Sequence, residues 1–117
     1  MNRFLVAIFL GFFCNQASAN QELIFEFHIK AGTQSGPWNA PEDMIEAKIG
    51  DVVRIFNDDS IDHQLHTGGA PCAHSPVIAP GRSWDCEISN EYNAKSSGAL
   101  YDHSYGPDAA FWLSASR

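Results

Sequence analysis

Four of the five histidines lie between His63 and His103, on turn-rich stretches of the chain. His63, His66 and His74 form one cluster, which also holds Cys72. His103 stands in a second cluster, Leu100-Tyr101-Asp102-His103, running into Ser104-Tyr105-Gly106-Pro107. Imidazole is the commonest protein ligand for borderline metals such as copper and zinc. Two histidine-bearing segments separated by a strand-like stretch predict a metal site where they converge at one end of a β-sandwich. His63, His103, His66 and His74 are the candidate ligands. Asp102 and Tyr105 are further oxygen donors close by. No Ser/His/Asp set and no cofactor fingerprint is present, so an enzyme is the least supported class.

The elements that must position these residues are short strands. Residues 22–30 alternate, with Leu23, Phe25, Phe27 and Ile29 on one face and Glu26, His28 and Lys30 on the other. That places His28 toward solvent. Residues 31–41 are a Gly/Pro-rich loop, with Trp38 expected to close one end of the core. Residues 44–49, 52–56, 63–67, 83–88, 99–103 and 109–113 read as further strands, and Gly106-Pro107 as a break between the last two. No part of residues 20–117 has a helical period, beyond a helical turn in the polar stretch 89–98. Seven or eight short strands with regular turn signals predict an all-β, Greek-key antiparallel sandwich. On one straight strand His63 and His66, three apart, point to opposite faces. They share an ion only if the strand twists or ends near Leu65. By the same parity Tyr101 and His103 share a face that Asp102 opposes.

Residues 1–19 read as a secretory signal peptide. Arg3 is followed by ten apolar residues and by Ala17-Ser18-Ala19, a small-x-small cleavage site. The apolar run is shorter than the roughly 20 residues that span a bilayer. Residues 20–117 then form one domain, without membrane insertion after cleavage, in the periplasm or secreted. Without Arg3 this stretch has 6 basic and 14 acidic side chains, a net charge of −8 with His neutral. Such a surface repels nucleic acid and anionic membranes and attracts cations or a basic protein partner. Cys72 and Cys86 remain after cleavage. In an oxidising compartment they are expected to pair; the competing role for Cys72 is a thiolate metal ligand.

Several segments together resemble the cupredoxins, the small copper-binding β-sandwich family of plastocyanin and azurin. Ile49-Gly50-Asp51-Val52-Val53 is similar to the turn that enters the family's central strand. Phe56-Asn57-Asp58-Asp59, followed by His63, resembles the segment that delivers its first histidine ligand. Ile78-Ala79-Pro80-Gly81-Arg82-Ser83-Trp84 resembles its Pro-Gly corner, and Tyr101-Asp102-His103 sits where the family carries Tyr-x-Cys. The resemblance covers nearly all of residues 20–117 and implies copper as the ion. The departure is as informative. A blue-copper site uses two His, one Cys and a weak axial Met. Here His103 fills the cysteine slot, and residues 104–117 contain no His, Cys or Met.

The chemistry expected is therefore a nitrogen-rich, non-blue site, suited to Cu(II) and also to zinc. It favours copper handling (binding, delivery or sequestration) over fast electron transfer. Two other classes follow from the same residues. One is a metal-free interaction module presenting Trp38, Tyr105 and Trp112; the other is a small redox carrier with an atypical copper centre.

Overall fold

The structure is a computed structural model that describes residues 22–117. The signal-peptide segment and its cleavage site lie outside the described residues. The strands are β1 (Ile24–Ile29), β2 (Ile45–Lys48), β3 (Val52–Asn57), β4 (Leu65–His66), β5 (Ser83–Glu87), β6 (Leu100–Asp102), β7 (Gly106–Phe111) and β8 (Leu113–Ser116). A 3-10 turn, Pro41–Asp43, precedes β2. One helical turn, α1 (Ala94–Ser97), precedes β6 and is capped by the Asn93 side chain, which accepts from the Lys95 N–H. No helix among the described residues is long and apolar enough to cross a membrane.

The all-β sandwich is borne out, with mixed pairing. The strand orders are β1-β3-β5, β2-β8 and β4-β6-β7. β1 runs parallel to β3 and β2 parallel to β8; the other named pairs are antiparallel.

Register explains the alternation. Phe25, Val53 and Cys86 form one cross-strand row facing the core, and Phe27, Ile55 and Trp84 the next. The intervening row, Glu26, Arg54 and Asp85, faces out, and Arg54 donates twice to the Asp85 carboxylate (2.8 and 3.1 Å). Those hydrogen bonds, the largest effect, hold Asp85 below its ordinary value and raise Arg54. His28 is exposed as expected, stacked on its neighbour Phe56 and hydrogen-bonded through Nδ1 to Asp58 (2.6 Å).

Trp38 does close the core, packing against Phe27 and Phe111. Leu23, given to the inner face by alternation, is instead exposed, because β1 begins one residue later. The expected break at Gly106-Pro107 is the start of β7. Gly106 takes a positive φ of 81° at the turn, and Pro107 tolerates the first positions of a strand, where no ladder donor is required. The single last strand expected is thus two, β7 and β8.

Candidate metal centre

The site is built around β4, a strand of only two residues. Its parity is strict: His63 and Leu65 point inward and are fully buried, while His66 lies toward the surface. β6 flanks one edge, pairing Leu65 with Asp102 and His66 with Tyr101; the His103 N–H donates to the Gln64 carbonyl just beyond (2.7 Å). On the other edge Ser75 clamps Leu65. Its N–H donates to the Leu65 carbonyl (3.1 Å), and its hydroxyl accepts from the Leu65 N–H (2.8 Å). Three histidines are thereby delivered to one patch: His66 from β4, His103 from just past the end of β6 and His74 from the loop.

His66, His74 and His103 each offer a ring nitrogen, and these atoms lie within 4.8 Å of one another. The Nδ1 atoms of His66 and His103 are 3.2 Å apart. The His74 ring stands edge-on to both partners, with centroids 5.0 Å away in each case. The His66 ring is backed by Tyr101, stacked at 4.8 Å. His74 Nδ1 accepts from the Thr67 N–H (3.2 Å) and lies 3.4 Å from the Thr67 carbonyl, so it has a partner in either tautomer. When Nδ1 carries the proton and faces the Thr67 carbonyl, Nε2 holds the lone pair; it lies 3.4 Å from the Gln64 side-chain amide, which an ion would displace.

The Cys72–Cys86 disulfide is present, with Cα atoms 5.4 Å apart. It ties the loop carrying His74 to β5 in the other sheet. Inside that loop the Thr67 hydroxyl donates to the Cys72 carbonyl (2.7 Å). Cys72 is therefore no thiolate ligand.

His63 departs from the expectation that it supplies a ligand. It is fully buried, and both ring nitrogens face carboxylates: Nδ1 to Asp102 Oδ2 at 2.6 Å and Nε2 to Asp59 Oδ2 at 3.0 Å. A carboxylate only accepts, so the two contacts are satisfied together when the ring carries a proton on each nitrogen. The imidazole is enclosed by Trp38 and Tyr105, with centroids 5.8 and 6.1 Å away. The physical reason is parity. The strand neither twists nor ends soon enough to bring His63 to the face of His66. Parity likewise turns Asp102 inward and His103 outward.

Sequence reasoning placed Asp59 only in the segment leading to His63 and missed it as a support. Burial alone pushes its carboxyl up. Hydrogen bonds from His63 and from the N–H groups of Gln34, Gly32 and Ser60 outweigh that and hold it well below the carboxylate range. Asn57 sets the turn: its amide donates to the Ile61 and Ile78 carbonyls, and its oxygen accepts from the Asp59 N–H. The available signal was that Asp59 and His63 are four apart, across the short connection between the strands expected at residues 52–56 and 63–67.

These residues do not fit a thiolate-ligated copper. Both described cysteines are in the disulfide, the His63 nitrogens are taken, and the Met44 sulfur accepts from the Ser114 hydroxyl at 3.3 Å. They do fit an ion held by three imidazoles. Two nitrogens each about 2.0–2.1 Å from one ion lie about 2.9–3.4 Å apart at angles between square and tetrahedral, and the His66–His103 pair is already at that spacing.

No protein-family model matches the chain, and no curated protein matches it. Solved structures do. A variant of amicyanin in its Cu(I) form superposes with a TM-score of 0.56 at 14% identity, over 79% of this chain and 81% of that one. A purple cupredoxin from Nitrosopumilus maritimus superposes at 0.54 with 20% identity, over 78% and 98%. An oxidised amicyanin variant gives 0.56 at 13%, over 79% and 81%. With this strand order and these structural neighbours, the chain has the cupredoxin fold.

Proposed function

We propose that this protein binds one copper ion through His66, His74 and His103 and serves in copper handling outside the cytoplasm. The observation that carries this is the convergence of three imidazoles at one edge, with ligand atoms within 4.8 Å. Nitrogen-only ligation suits Cu(II) and is also compatible with zinc. His74 and His103 are exposed and His66 is half-buried. Three ligands from one side leave a coordination position facing solvent, which favours capture and hand-over. The export reading of residues 1–19 and a disulfide between two fully buried cysteines support a periplasmic or secreted location. The acidic surface favours a cation or a basic protein partner.

The test is metal titration of the purified chain. One equivalent of Cu(II) is expected to bind, with a paramagnetic resonance signature of nitrogen ligation and no intense thiolate charge-transfer band. His103→Ala and His66→Ala are each expected to weaken binding at least tenfold. Absence of stoichiometric copper or zinc, or binding indifferent to these substitutions, sinks the reading.

A further inference from the structure

The buried His63 lies in a chain of polar groups that ends at the surface histidines. Asp102 is the hinge of that chain. Its Oδ2 accepts from His63 and its Oδ1 from the Ser104 N–H (3.0 Å), and its carbonyl accepts from the Tyr105 N–H (3.2 Å). The β6–β7 ladder shifts register at this point, between Tyr101 and Asp102. The next residue is His103. Its own ring contacts are with His66 and His74, whose centroids are 5.4 and 5.0 Å away. The His103 backbone is held by its own N–H on the Gln64 carbonyl (2.7 Å) and, on its N-terminal side, by the contacts of Asp102.

We propose that His63 is a positioning residue for the surface trio: through Asp102 it fixes the end of β6, and so the point from which His103 reaches His66. The other end of the chain is anchored firmly enough to act as a reference. His63 exchanges two backbone hydrogen bonds with Ile78 (3.1 and 2.7 Å). Asp59 takes the second ring nitrogen while also holding the N–H groups of Gly32 and Gln34 (2.9 and 2.7 Å). This inference deepens the copper reading and rests on it for the metal-binding part of its test. Groups that orient metal ligands change affinity by about 10–100-fold when removed.

The test uses His63→Gln and Asp102→Asn, with Ile88→Val, a core truncation, as a stability control. Three quantities are measured in each: Cu(II) affinity by competition titration, the paramagnetic resonance spectrum of the Cu(II) form, and proton contacts between the His66 and His103 rings in the metal-free protein. His63→Gln is expected to lower Cu(II) affinity about 10–100-fold, to broaden or split the Cu(II) spectrum, and to abolish the ring contacts. Asp102→Asn keeps the shape and the Ser104 contact through Oδ1, and is expected to move all three in the same direction by less. The control is expected to lose stability with affinity and spectrum unchanged. If His63→Gln does not fold, Asp102→Asn decides. Unchanged affinity, spectrum and ring contacts in a folded variant overturn the proposal and leave His63 a merely structural group. If the wild-type protein binds no copper or zinc, the copper reading fails, and the ring contacts of the metal-free proteins still decide whether His63 positions His103.

Discussion

Replacing both cysteines by alanine, Cys72→Ala with Cys86→Ala, tests how far one cross-link governs both the fold and the metal centre. The residues are 14 apart, and the bridge closes a loop of about 15 residues. In the chain-entropy account that closure is worth about 3 kcal/mol at 25 °C. For a domain near 100 residues, each kcal/mol moves the midpoint of thermal unfolding by about 4–8 °C, so a fall of roughly 12–24 °C is expected. Urea unfolding gives the same quantity independently, as a lower midpoint with a steeper slope, because the unfolded chain without the cross-link exposes more surface. The second consequence concerns His74, two residues beyond Cys72. The loop keeps its Thr67–Cys72 hydrogen bond and the Ser75 clamp but loses its covalent tie to β5. Cu(II) affinity is therefore expected to fall, by less than in His74→Ala. A midpoint lowered by under about 5 °C, with copper affinity unchanged, refutes the view that this bridge pre-organises the loop.

Three further outcomes follow from the geometry. The Asp59 carboxyl is held below its unfolded value of about 3.9, so its contribution to stability is present above that pH and is lost as pH falls toward the folded value; urea midpoints taken from pH 5 down to pH 2 are expected to fall less steeply in Asp59→Asn than in the wild type. Protons and copper compete for the same imidazole nitrogens, whose free pKa is about 6.5, so bound copper is expected to leave between about pH 6 and 5; retention at pH 4 in a dialysis assay counts against histidine ligation. Phe111 is fully buried against Phe27 and Trp38 (centroids 4.8 and 5.2 Å), so Phe111→Ala is expected to cost about 3–5 kcal/mol in urea unfolding.

The parts of the fold that sequence made legible are those where period-two alternation is long. β1 runs for six residues, and the inward places of Phe25, Phe27 and Ile29 follow directly from its alternation. Trp38 and the cysteine pair were legible for a different reason: each is a side chain with few places to go in a domain of this size. The boundary near Gly106 was not legible, because Gly and Pro mark both a break and the first residues of an edge strand. At the site, the strand parity that separates His63 from His66 could be read in advance. That β4 would stay regular enough to keep them apart could not, since it depends on Ser75 clamping one edge and β6 the other. The pairing of His63 with Asp59 and Asp102 was hidden for a related reason: Asp102 is 39 positions away, and no local pattern announces a contact of that range.

The Asp59–His63–Asp102 group bears on how the proposed site stands without an ion. In a protein whose loops are joined by an ion, losing the ion unfastens them. Here the loop after β1, the turn after β3 and the end of β6 are fastened to one another by an internal side chain. That fastening uses none of the three surface histidines, so it holds whether or not an ion is bound at the proposed site.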